Sequence, residues 1–158
     1  MFYPRHLQLE KLVIRPYRKD DEQEVIDLWF ACWLVVPANN PRRDIERKLL
    51  VNPELFLVGS LRKHIVATCM AGYEGHRGWI NYLAVSPDHR RQGFATMMMK
   101  EAIKRLKSVG CPKINIQIRA TNKTVITFYE SMGFTNDDVL SMGKRLEPDP
   151  PFVFSENI

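Results

Sequence analysis

The apolar positions change period several times along the chain, and each change predicts an element. Leu12-Val13-Ile14-Arg15-Pro16-Tyr17 reads as a first strand. From Asp21 the period lengthens: Val25, Leu28, Trp29 and Cys32 recur at helical spacing. Asp21 and Glu24 stand where a capping box would start that helix, predicted over residues 22–33. Pro37 and Asn39-Asn40-Pro41 break the chain, a short helix is predicted over residues 42–50, and Asn52-Pro53 ends it. Residues 55–61 and 64–73 are apolar enough for two strands. Arg62-Lys63 between them predicts a tight turn and hence antiparallel pairing. Glu74-Gly75-His76-Arg77-Gly78 reads as a loop, and residues 79–85 as a largely apolar, central strand.

Past Ser86-Pro87-Asp88-His89 a long helix begins at Gly93. Ala95, Met98, Ala102, Leu106 and Val109 mark its buried face, Gly110 its C-terminal cap, and Pro112 prevents its continuation. Ile114, Ile116 and Ile118 alternate with Asn115 and Gln117, the pattern of a strand. Asn122 is placed to cap a further helix with Val125, Phe128, Tyr129 and Met132 on its inner face, closed by Gly133. Residues 134–146 predict one or two last strands around Asp137-Asp138, and the proline-rich remainder a loose tail. The order of elements specifies an α/β chain, a mixed sheet with helices on both faces. No repeat or linker divides it, so a single domain is expected over residues 1–146, followed by a tail over 147–158.

Composition narrows this picture. A chain of 158 residues, 45% apolar and 26% charged, can bury one core without disulfides or metals. Its three cysteines, Cys32, Cys69 and Cys111, form no CxxC or Cys/His pattern. No metal site or disulfide framework is expected, and the thiols fit a reducing compartment. A net charge of +5 could attract phosphates, nucleic acid, an acidic partner or a membrane. The positive charges are spread out, however, and no helix-turn-helix, RNP-like or zinc-finger pattern accompanies them, so nucleic acid is not an expected partner. The N-terminus has no apolar signal region and no apolar run approaches the roughly 20 residues that cross a bilayer, so a cytoplasmic protein without a membrane partner is expected.

The chemistry concentrates where the strand ending at Val85 meets the long helix. Arg90-Arg91-Gln92-Gly93-Phe94-Ala95 places two cations and a glycine at a helix start, where backbone amides lack partners and the dipole is positive. Such a terminus stabilises an anion, a pyrophosphate especially, and Gly93 lets it come close. The chain has no G-x-x-x-x-G-K-[ST] and no G-x-G-x-x-G, which excludes a P-loop and a Rossmann site. What remains, Arg90, Gly93 and Ala95 as R-x-x-G-x-A, resembles the acyl-CoA signature of the GNAT acetyltransferase superfamily. Asn122, Phe128-Tyr129-Glu130 and Gly133-Phe134 are similar to a second segment of that family, with Val125 where alanine is frequent. Further stretches, 44–48, 72–78 and 138–146, resemble its small bacterial YpeA-like branch.

The resemblance implies a mostly antiparallel central sheet of six to seven strands flanked by about four helices. It implies acetyl-CoA as co-substrate and a primary amine, on a small molecule or a peptide, as acceptor. Arg90, Arg91, Gln92, Gly93, Phe94, Ala95 and Thr96 would hold the pyrophosphate, and Asn122 the pantetheine arm. A backbone amide among Leu83 to Val85 would face the oxyanion on a splayed strand edge. Tyr129 would lie near the thioester sulfur as the acid. The strand before the signature carries no carboxylate, so Glu74 and His76 at the end of the preceding strand are the candidate bases, acting directly or through water. Trp33 and the loop 37–40 would border the acceptor site. A non-catalytic acyl-CoA-binding domain is the alternative, and residues 141–146 could pair with a second copy as a homodimer.

Overall fold

A computed structural model describes residues 10–154. Five strands, β1 Val13–Pro16, β2 Phe56–Leu61, β3 His64–Tyr73, β4 Gly78–Val85 and β5 Ile114–Asn115, form one sheet in the order β1-β2-β3-β4-β5. The first three pairings are antiparallel and β4–β5 is parallel. The helices are α1 Glu22–Ala31, α2 Pro41–Leu49, α3 Phe94–Ser108 and α4 Lys123–Ser131. No helix among the described residues is long and apolar enough to cross a membrane.

Strand alternation sends side chains to two cores. Phe56 and Val58 of β2, with Ile65 and Met70 of β3, meet Val25, Ile26, Leu28 and Trp29 of α1 and Ile45 of α2. Leu57, Cys69, Ala71 and Ile80 face the other way, onto Met98, Met99, Ala102 and Leu106 of α3 and Tyr129 of α4. Arg62 and Lys63, both at positive φ, make the tight β2–β3 turn that the pattern predicted.

Asp21 does not cap α1 with its side chain. Its carboxylate accepts two bonds from the Arg15 guanidinium, at 2.7 and 2.8 Å, and one from the Arg18 amide. Burial works against the charge, but Arg15 and the Arg18 amide outweigh it and hold the carboxyl below its usual range. Glu24 turns instead to the β2–β3 hairpin, where its Oε2 accepts from Ile65 N at 3.0 Å.

The expected six to seven strands are five among the described residues. β5 ends at Asn115, so residues 116–118 leave the sheet despite their alternating isoleucines. Residues 134–146 form no strand. Asp138 sits at φ 52, its amide held by the Asn136 side chain, and Val139, Leu140, Met142 and Leu146 are exposed. The expected pairing of residues 141–146 with a second copy therefore has no strand to start from.

Of the tail expected to trail loosely, residues 149–154 pack against α1 and α2, and 155–158 lie outside the described residues. The Asp149 carboxylate accepts from Asn40 N at 2.9 Å and from Arg47 Nη2 at 2.5 Å, and Phe152 meets Phe30 and the Arg42 guanidinium. Arg47, then the Asn40 amide, hold the Asp149 carboxyl down to about 2. A depressed carboxyl stabilises the docked tail above its unfolded value and stops doing so as pH falls through about 2, so the tail should stay latched at any ordinary pH. Asp149→Asn is expected to speed chymotrypsin cleavage after Phe152 while leaving the Tm of the sheet nearly unchanged. Cleavage at the wild-type rate would show that the latch holds nothing.

Candidate functional site

The segment between β4 and α3 folds as a concave loop. Arg91 and Gly93 both adopt left-handed backbone, at φ 61 and 80, which turns the chain sharply into α3. Gly93 is the N-cap of α3. Its carbonyl takes the first helical bond, from Met97 N at 3.0 Å, and no side chain caps this end. The amides of Phe94, Ala95 and Thr96 are therefore left for a ligand, and the first turn carries no acid to repel an anion. A Cβ built on Gly93 would meet nothing within 4 Å, so the approach is open. A cavity of about 240 Å³ lies in front, lined by Val85, His89, Arg90, Arg91, Gly93, Phe94, Ala95, Thr96 and Phe128. Gln92 is in the loop but not on that wall. Phe94 is buried in the core and offers its backbone.

The cavity opens beside an unpaired strand edge. Among the described residues, β4 pairs on this side only at Gly78↔Ile114 and Trp79↔Asn115, and runs on for six residues. Ser86 N donates to Val66 O at 2.8 Å, so alternation turns the backbone groups of Val85, and of Leu83 two residues earlier, away from β3 and toward the open edge. Val85 O confirms this, accepting from Arg90 Nε at 3.4 Å and Cys32 Sγ at 3.3 Å.

A bulge sits at the centre of β4. The β3–β4 register shifts between Thr68 and Met70, and Tyr82 takes φ 49, a strained value for a residue with a side chain. Three contacts pin it. Thr68 Oγ1 donates to Tyr82 O at 2.8 Å, Trp29 Nε1 donates to Thr68 Oγ1 at 2.9 Å, and the Tyr82 ring stacks on Trp29 at 3.8 Å. The Tyr82 hydroxyl then donates to Asp44 Oδ2 at 2.6 Å. Thus α2 brings a carboxylate to a strand that has none.

Tyr129 is buried on the opposite face, edge-on to Phe128 and Phe134 at 5.1 and 5.4 Å. Burial first, then the nearby Cys69 thiol, raise its phenol well above the usual range, so the hydroxyl keeps its proton. Asn122 caps α4, its Oδ1 accepting from Val125 N at 3.3 Å, which leaves its amide hydrogens free of that bond.

Glu74 and His76 are placed elsewhere. Both are exposed in the β3–β4 loop, where Glu74 accepts from Arg77 N and the His76 carbonyl from Arg77 Nη1 at 2.9 Å. Gly78 to Leu83 is five residues of strand, roughly 17 Å at ordinary rise. The structure does not bring these two side chains to the open edge. Trp33 stands out from the α1 end, 91% exposed at φ 58, and Asn40 in the 37–40 loop is buried as the cap of α2.

Asp44 and Lys48 are not among the residues the sequence pattern singles out, yet a signal marks them. With Pro41 and Ile45 they occupy positions i, i+3, i+4 and i+7 of α2, the face that packs inward. Charges on such a face are uncommon and ask for a partner.

A family model described as Acetyltransferase (GNAT) family matches residues 8–134. An acetyltransferase of Yersinia pestis is 46% identical over 139 residues, 88% of this chain and 99% of that relative. One of Sodalis glossinidius is 46% identical over 140 residues, with the same coverage. Among solved structures, a putative acetyltransferase from Agrobacterium tumefaciens superposes with a TM-score of 0.71 at 16% identity, covering 84% of this chain and 99% of that one. AAC(6')-Iy in complex with a bisubstrate analogue, CoA-S-monomethyl-acetylneamine, superposes with a TM-score of 0.72 at 14% identity, covering 85% of this chain and 98% of that one.

Proposed function

Because the chain belongs to the acetyltransferase (GNAT) family, we propose that it transfers the acetyl group of acetyl-CoA to a primary amine of a small molecule or peptide. The observation that carries this reading is the open edge of β4 running into the uncapped start of α3. An extended amide-bearing arm suits the edge, and a pyrophosphate suits the helix start. In this reading the amides of Phe94 to Thr96 hold the pyrophosphate together with Arg90 and Arg91. Leu83 and Val85 pair with the pantetheine as a neighbouring strand would, and the Asn122 side chain donates to it from the far wall.

Acetyl-CoA supplies an acetyl group activated as a thioester. The neutral amine attacks the carbonyl carbon, whose oxygen takes up the π electrons. The Leu83 amide donates to that oxygen, where charge develops. As the carbon–sulfur bond breaks, Tyr129 gives its proton to the sulfur and regains one from solvent. The proton shed by the nitrogen passes through the Tyr82 hydroxyl to Asp44 and on to solvent.

Thiol release from acetyl-CoA, followed across amines, amino acids, polyamines and peptides, tests the reading. Asp44→Asn should lower kcat/KM for the amine by about 10²-fold and leave acetyl-CoA affinity unchanged. Wild-type turnover in that variant would remove Asp44 from the proton path. One observation favours a second reading, a domain that binds acyl-CoA without turnover: β4 bears no carboxylate. Acetyl-CoA binding with no thiol release on any amine would support it.

A further inference from the structure

A second cavity, of about 170 Å³, lies on the α2 side of the β3–β4 hairpin. Met70, Gly72 and Glu74 of one strand and its loop, with Trp79 and Asn81 of the other, form its floor. Lys48, Val51 and Asn52 roof it.

Lys48 is 9% exposed, and among the described residues its ammonium makes no hydrogen bond or ion pair. It lies over Gly72, where an added Cβ would stand 3.6 Å away, in ordinary contact. Burial pulls its pKa below the usual range, and the more distant charge of Glu54 only partly opposes this. Glu74, the acid on the cavity wall, accepts from the Arg77 amide and forms no ion pair with Lys48. The ammonium is half-buried and faces the open space of the cavity with no counterion among the described residues, so an anion entering there would gain a charge-assisted contact.

We propose that this cavity holds the anionic end of the acceptor, which makes the substrate a primary amine carrying a carboxylate or phosphate several bonds from its nitrogen. The inference rests on the acetyl-transfer reading above. The spacing follows from the strand. Gly72 pairs with Trp79, four residues before Leu83, a separation of roughly 13 Å at ordinary strand rise and less across the bulge. Subtracting about 3 Å for the contact with Lys48 and about 3 Å for nucleophilic approach leaves roughly 5–7 Å between nitrogen and anion. An α-amino acid is too short. An ω-amino carboxylate of four to six carbons, or an aminoalkyl phosphate of like length, spans it.

The test compares ω-amino carboxylates and ω-aminoalkyl phosphates of increasing length with amino alcohols of matching length, on wild type and Lys48→Met. Methionine keeps the stem's volume and removes the buried charge, so the variant should fold with a Tm equal to wild type or up to about 4 °C higher. Wild type should prefer the anionic series by at least tenfold in kcat/KM, with an optimum at intermediate length. Lys48→Met should lose that preference through KM while its turnover of amino alcohols and its acetyl-CoA affinity stay within about twofold. Which anionic series leads distinguishes carboxylate from phosphate. Independently of turnover, inorganic phosphate or acetate should move the Lys48 side-chain NMR resonance. Equal use of amino alcohols, a fall in Tm with equal loss on every acceptor, or a Lys48 resonance indifferent to both anions would each overturn the proposal. Failure of acetyl-CoA itself to bind would instead sink the donor reading, since the Lys48 resonance is read without it.

Discussion

Tyr129→Phe should lower kcat by about 10²-fold or more and leave the dissociation constant of acetyl-CoA within about twofold. The departing thiolate is a weak base, and expelling it without a proton raises the barrier. A phenol kept protonated by burial is a ready donor at neutral pH. The hydroxyl acts only as the bond breaks, so kcat and kcat/KM should fall together. Phenylalanine retains the ring and hence the edge-on contacts with Phe128 and Phe134, so Tm should move little. Single-turnover thiol release with acetyl-CoA binding measured in parallel separates the cases. Wild-type turnover in the variant would dismiss Tyr129 as the acid.

Much of this site could be read from the chain because its parts are local. The start of α3 is set by Gly93 and the residues around it, and the capping asparagine of α4 by its own spacing. Both were placed correctly because hydrogen bonds within four residues decide them. The antiparallel β2–β3 pairing was likewise legible, since Arg62-Lys63 leaves no other connection between two adjacent apolar runs.

What failed is what depends on distant neighbours. Ile114, Ile116 and Ile118 alternate as a strand should, but a strand needs a partner, and pairing with β4 stops after two pairs, ahead of the β4 bulge. That bulge is held by Trp29 and Thr68, residues 53 and 14 positions upstream of Tyr82 by number, and no local pattern announces it. Glu74 and His76 lie close in sequence to the central strand. The hairpin geometry instead sends them to its far end, while Asp44 arrives from a helix that lies more than thirty positions earlier. The tail misled for the same reason: proline-rich composition predicts looseness, and the Arg47–Asp149 pair with the Phe152 contacts supplies the docking that composition cannot show.

The remaining large effect concerns the donor. Gly93→Val is expected to weaken acetyl-CoA binding by about 10²-fold, measured by calorimetry. At φ 80 a β-branched residue is strained, by about 1–2 kcal/mol for the left-handed region alone. That strain alone would lower Tm by roughly 2–8 °C in a chain of this size. No protein atom lies within 4 Å of the new Cβ, so a clash within the fold is not the cause of any further loss. The added methyls project instead into the space a pyrophosphate must enter, and any relaxation of the loop turns the Phe94, Ala95 and Thr96 amides away from it. The two losses are separable. Gly93→Ala carries most of the backbone strain with less bulk, so its Tm should fall almost as far while its affinity falls less. Gln92→Ala, in the same loop but off the cavity wall, should bind as wild type does. Equal affinities in all three variants would mean that the phosphates are not held at this helix start, and the assignment of the donor site would fall with it.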